Sequence, residues 1–134
     1  MGTTTFSGPI KAGSGSNVGS VVMAQSKVID IIGAAVTDQV CATIPANSQI
    51  IDVIVNVSTV SNDSGAATVS VGTSADPNAF VDALNVKALG TTHGTLDTEA
   101  TDVGTSDLQI LADTAMAGGA VSYTHLTLPT ICSV

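Results

Sequence analysis

Arginine and tryptophan are absent from this 134-residue chain, and aromatic residues of any kind make up 2% of it. Charge is scarce as well: 10% of residues carry it, split as 3 Lys+Arg against 11 Asp+Glu, for a formal net charge of −8. The cations are Lys11, Lys27 and Lys87. Nucleic acid and anionic membranes are bound through basic patches, which three scattered lysines cannot build, so neither is expected as a partner. The longest clean apolar run, residues 31–36, contains Gly33 and falls far short of the roughly 20 residues that span a bilayer as a helix. The first residues, Met1-Gly2-Thr3-Thr4-Thr5-Phe6, have neither the basic nor the apolar segment of an export signal, and Phe6 stands where a myristoylation signal requires Ser or Thr. Without Trp, and with Phe6 and Phe80 as the aromatics before residue 121, the chain also lacks the stacking platforms expected of a sugar-binding β-sandwich.

The apolar share is nevertheless 44%, with mean hydropathy +0.46, which excludes a mainly disordered chain. It comes from Val, Ile, Ala and Leu set among Thr, Ser, Gly and Asn. β-branched residues lose little on a pleated strand and more in a helix, so the expectation is an all-β protein of one domain.

Residues 1–19 read as a flexible, extended N-terminal arm, because a stretch carrying Gly8-Pro9 and Gly13-Ser14-Gly15-Ser16 cannot bury enough surface to fold by itself. Residues 20–120 carry strand signals in 21–25, 28–32 and 38–44, then a turn at Pro45-Ala46-Asn47. In residues 50–58, Ile51, Val53, Val55 and Val57 fall on one face by strict alternation and are assigned to the core. Ser61-Asn62-Asp63-Ser64-Gly65 reads as the exposed polar tip of a hairpin whose second strand points Val69 and Val71 inward. Residues 79–88 suit a short helical turn before a strand through 85–89, and residues 107–112 form a later strand. After Gly118-Gly119 the partner strand of a closing hairpin is expected. Short strands at spacings of ten to fifteen residues with no helical period indicate an antiparallel β-sandwich of jelly-roll type. Substituting Val55 by Asp would then bury an unpaired charge and cost several kcal/mol.

Catalytic signatures are missing. His93, in Thr-Thr-His-Gly-Thr, reads as a solvated loop histidine, since the sequence supplies it with neither a nucleophile nor an orienting carboxylate. No G-x-S-x-G elbow and no phosphate loop is present. Asn62-Asp63, Asp76-Pro77-Asn78 and the run Asp97, Glu99, Asp102 read as solvated acidic loops, because none has calcium-loop spacing. Cys41 lies in an alternating segment and is expected to be a small buried hydrophobe. The expectation is therefore no catalytic, cofactor-binding or metal-binding residues, and no enzyme.

Composition changes abruptly after Ala120. Residues 121–130, VSYTHLTLPT, resemble letter for letter the translation of a transposase-type sequencing adapter. Ile131-Cys132-Ser133-Val134 fits the index bases, Val and stop that follow it. Residues 121–134 are accordingly read as an adapter-derived addition to a gene fragment of metagenomic origin, with the natural closing strand missing. His125 and Cys132 are set aside on the same ground.

The arm Thr3-Thr4-Thr5-Phe6-Ser7-Gly8-Pro9-Ile10-Lys11-Ala12-Gly13, the segment Val22-Met23-Ala24-Gln25-Ser26, the stretch Ile44-Pro45-Ala46-Asn47-Ser48-Gln49-Ile50 and the strand Thr68-Val69-Ser70-Val71-Gly72-Thr73 together resemble small virion proteins of tailed, particularly marine, bacteriophages. The resemblance covers most of residues 3–115. It implies a jelly-roll-like domain that decorates or stabilises a capsid, with the major capsid protein or other virion proteins as partners. It also implies a homo-oligomer such as a trimer, a place on the capsid surface, and assembly in the host cytoplasm. Thr3, Thr4, Thr5, Phe6, Pro9 and Ile10 would form the interaction arm. The alternative is a tail- or fibre-associated attachment module, also non-enzymatic.

Overall fold

The computed structural model describes residues 22–30, 35–96, 101–117, 125–127 and 130–133. The interaction arm lies outside these residues.

Among the described residues ten strands are formed: β1 Val22–Gln25, β2 Val28–Asp30, β3 Gln39–Ile44, β4 Gln49–Thr59, β5 Ala67–Gly72, β6 Val81–Asn85, β7 Gly90–His93, β8 Leu108–Met116, β9 His125–Thr127 and β10 Thr130–Ser133. Every pairing is antiparallel. β10 and β9 run end to end along one edge of β4, pairing with Gln49–Val53 and Asn56–Thr59. β7 takes the other edge of β4, and β1 and β2 line the far side of β10 and β9. The second sheet has the order β3-β8-β5-β6. Counting β1–β2 and β9–β10 as one line each, two four-stranded sheets face one another. The chain crosses between them at every connection except β5 to β6, which is a jelly-roll course.

One core lies between the sheets. Val53, Val55 and Val57 from β4 meet Val69 and Val71 from β5, all at most 3% exposed, together with Ile44, Phe80, Val86 and Ile110. The alternation of β-branched residues thus supplies both inner faces, as the sequence suggests.

Several expectations are corrected. β4 and β5 are not a hairpin: they sit in opposite sheets, and β5 pairs with β6 and β8. Alternation specifies an inward face, and that face can equally meet the other sheet. Ile51 is 45% exposed while Ile50 is buried, because the register with β10 steps from Asp52↔Ile131 to Ile50↔Cys132. That β-bulge adds one residue and turns Ile51 outward. Residues 79–88 hold no helix; β6 occupies Val81–Asn85 instead, with Ala83 in a left-handed conformation at φ 45° and its N–H given to Ser70 Oγ. Lastly, the 61–65 loop is no exposed tip, since Ser61 and Asp63 are 4% and 2% exposed.

Gly72 ends β5 where the chain turns sharply. A Cβ there would run into the Asp76 carbonyl and the Pro77 backbone, so only glycine fits. The closing hairpin expected after β8 is not formed either: β9 and β10 pair with β4, β2 and β1 in the opposite sheet, and neither pairs with β8.

Candidate interaction surface

The side chains that sequence reasoning weighed for chemistry are dispersed over this scaffold. His93 ends β7 and is exposed, so the solvated reading holds, although it sits on a strand and not in a loop. The structure does give it a carboxylate: Nδ1 lies 3.1 and 3.0 Å from the two Asp52 oxygens. Asp52 lies diagonally across the sheet from it, since His93 stands opposite Ile54. Strand register made this pair, and no motif announces it. Beside it Thr91 Oγ1 donates to Asn56 Oδ1 at 3.2 Å, completing a polar ladder on the outer face of the sheet.

Cys41 is buried on β3, its thiol donating to the Gln39 carbonyl at 3.3 Å. Burial pushes the thiol up to about 11, against a smaller opposing pull from Lys27. It stays a neutral thiol at ordinary pH and is a poor nucleophile.

The loop acids tie turns together. Asp76 N donates to Thr73 Oγ1 at 3.2 Å, and its carbonyl accepts from Thr73 N and Ala79 N. Asp63 Oδ1 accepts from Gly65 N at 2.7 Å, while its Oδ2 is buried without a partner. Lys87 Nζ donates to the carbonyls of Asp63 and Gly65 at 2.8 and 2.9 Å. A lysine from the β6–β7 turn therefore clamps the β4–β5 loop, a contact that sequence spacing gave no sign of. Asp97 and Glu99 lie outside the described residues, and among the described residues no three His, Cys, Asp or Glu side chains cluster to hold a metal.

Among the described residues the surface offers contact area and a polar depression. Val22, Met23 and Val28 are exposed on the outermost β1–β2 line, and Val60 and Leu89 are exposed at the end of the sandwich where β4 finishes. At the opposite end lies a depression of about 380 Å³, lined by Asn47, Ser48, Gln49, Asp102, Gly104 and Thr105. Two left-handed residues shape it, Asn47 at φ 58° and Gly104 at φ 71°. Asn47 N donates to Gly104 O at 2.6 Å and Val103 N to Ser48 O at 3.1 Å. Gln25 marks the nearby sheet corner, where its amide both donates to the Thr43 carbonyl at 2.8 Å and accepts from the Thr43 N–H at 3.3 Å. One side chain thus caps the free edge of β3.

No protein-family model and no curated protein matches the sequence. Solved structures do match in fold. A chain of a structure described as "Cyanophage Pam1 capsid asymmetric unit" superposes with a TM-score of 0.69 at 12% identity, over 100% of this chain and 99% of that one. A chain of the "Acidic stable capsid structure of Helicobacter pylori bacteriophage KHP30" gives 0.67 at 16% identity, covering 86% and 89%. One from the "Capsid of Ralstonia phage GP4" gives 0.53 at 14%, covering 91% and 89%. At these identities the similarity establishes a shared fold.

Proposed function

We propose that this chain is a bacteriophage virion structural protein that decorates and stabilises the capsid through protein–protein contacts. The observation that carries this reading is the match of the whole jelly roll to chains of three phage capsid structures, over nearly the entire length of each neighbour. A short β domain with a Gly/Ser-rich arm suits a subunit that binds a symmetric shell many times over, where many weak contacts sum. The net charge of −8 repels packaged DNA, which favours the outer surface. The partners are the major capsid protein and further copies of this chain, assembled in the host cytoplasm. Contacts run through the arm residues Thr3, Thr4, Thr5, Phe6, Pro9 and Ile10. The protein acts without catalysis.

The test is co-sedimentation with empty shells of the phage that carries the gene. The intact protein and a form lacking residues 1–18 are compared, each with its natural C-terminus. The intact protein should pellet with shells, and the truncated form should stay folded by circular dichroism yet remain in the supernatant. Equal sedimentation of both would remove the role given to the arm. Binding to purified tails and not to shells would overturn decoration in favour of attachment.

A further inference from the structure

We infer that the outer face of the sheet built on β4 is the surface through which two copies of this chain meet, face to face. The inference deepens the decoration reading by naming where further copies touch, and rests on it only for their presence on one shell.

Strand register sets what this face carries. Val22 stands opposite Ser133 and Ser133 opposite Gln49, while Val28 stands opposite Thr127 and Thr127 opposite Asn56. Gln49 and Asn56 alternate with the buried Ile50, Val55 and Val57. Directly opposed residues share a side of the sheet, so Val22 and Val28 lie on the solvent side with Ile51 and Ile54. Val22, Val28 and Ile51 are 60%, 44% and 45% exposed, and Ile54 is half-buried. Ile51 reaches that side because the bulge against β10 turns it outward, and such irregularities re-aim side chains. The solvent side of an antiparallel sheet is ordinarily polar; here apolar side chains extend from the outermost line to β4.

Charge selects a second copy as the occupant. The outer face of the other sheet holds Asp82 and Asp113, with the Asp38 N–H donating to Asp113 Oδ1 at 2.6 Å. No lysine stands on any of that sheet's strands, so a like copy is repelled there. On the β4 sheet Asp52 is held by His93 at 3.0 Å, and Asp30 stands opposite His125 in register. Two copies joined by their β4 faces stack four sheets about 10 Å apart, which leaves the acidic faces about 30 Å from each other, more than about three Debye lengths. Two chains of net charge −8 thus meet where their charges oppose each other least. Area suffices as well. Four strand lines about 4.8 Å apart, along the 11 residues of β4, give a face of about 19 by 36 Å. Two such faces bury about 1,400 Å², within the roughly 1,200–2,000 Å² of specific interfaces. Identical twisted sheets stack with strands about 30° apart, and the contact is two-fold, closing at a dimer. Four apolar side chains spread over that area make it weak, so pairing needs the high local concentration that a shell provides.

Sedimentation equilibrium of the full chain in reductant, without shells, tests this. The mass should rise from that of one chain, 13.2 kDa, at micromolar concentration towards twice that value at submillimolar concentration. Ile51→Glu and Val28→Glu each bury a charge in the contact and should raise the dissociation constant by more than about tenfold. Val40→Glu, at an exposed position on the other sheet, should leave association unchanged, with circular dichroism confirming the fold of all three. If Ile51→Glu fails to fold, Val28→Glu decides alone. A single-chain mass throughout would overturn the inference and leave this face to another partner. A trimer or larger assembly would overturn it too, as would dissociation by Val40→Glu and not by the other two. Because shells are absent, failure here leaves the decoration reading standing, and failure of shell binding leaves this pairing standing.

Discussion

Cys41 shows how burial at one residue becomes a property of the whole protein. Its thiol, at 9.0 when free, is pushed up to about 11 by loss of hydration. Below pH 9 the folded and unfolded chains both hold the proton. Between pH 9 and about 11 the unfolded chain releases it while the folded chain keeps it, so stability falls as pH rises through that window. The full effect is on the order of 3 kcal/mol, two pH units at about 1.4 kcal/mol each. Denaturant midpoints at pH 8 and pH 10.5 should diverge more for the wild type than for Cys41→Ala, in which Cys132 and the lysines still titrate. Parallel losses in the two proteins would remove this residue from the alkaline response. Lys87 and Asp63 show a different burial problem: the ammonium bonds two loop carbonyls while a carboxylate oxygen stays buried without a hydrogen bond.

The bulge in β4 illustrates what one extra residue does to an element. Ile50, at 2% exposed, faces the core and Ile51, at 45%, faces outward. Ile50→Ala should therefore cost about 2–5 kcal/mol by leaving a cavity. Ile51→Ala should stay within about 0.5 kcal/mol of the wild type, as an exposed position does. Chemical denaturation of the two variants checks the assignment, and the reverse ranking would mean that strict alternation, with no bulge, is the true register. The same bulge leaves the outward side of β4 carrying Ile51, Asp52 and Ile54 beside His93, so a local irregularity shapes the surface offered to partners.

At the scale of the molecule, the line formed by β9 and β10 is the most consequential feature. It separates β4 from β1 and β2, which pair with nothing else among the described strands. Removing residues 118–134 should thus release two lines of strand and not one. Hydrogen exchange should show β1 and β2 losing protection while β3, β5 and β8 keep more of theirs. We propose that residues 121–134 are adapter-derived, with β9 and β10 standing where a natural closing strand would. The chain carrying its natural strand should then melt at a higher temperature than the chain ending in VSYTHLTLPTICSV, since selection for packing against Val53, Val55 and Val57 acts only on the former. An independently assembled gene that continues through VSYTHLTLPT would defeat this reading.

The sequence by itself determined the class of structure and the content of the core. β-branched residues at alternate positions have one economical arrangement, and Val53, Val55, Val57, Val69 and Val71 are buried as their spacing demands. Cys41 is buried although alternation with the buried Ala42 and Ile44 would turn it outward, because a register shift between Val40 and Ala42 interrupts that alternation. One more strand after β8 was expected from the sequence, but as a hairpin partner of β8, whereas β9 and β10 pair with β4 in the other sheet. Which strands become neighbours was decided only in three dimensions. A period of two says in or out and names no partner, so β4 and β5 could look like a hairpin and yet face each other across the core. A bulge moves every assignment before it by one residue without leaving a mark in composition. The Asp52–His93 pair, the Lys87 clamp and the depression around Ser48 join residues 41, 24 and 54 positions apart, counting Asp52 to His93, Asp63 to Lys87 and Ser48 to Asp102. Such separations are closed by strand pairing and by the connections between the sheets, and no local propensity encodes them.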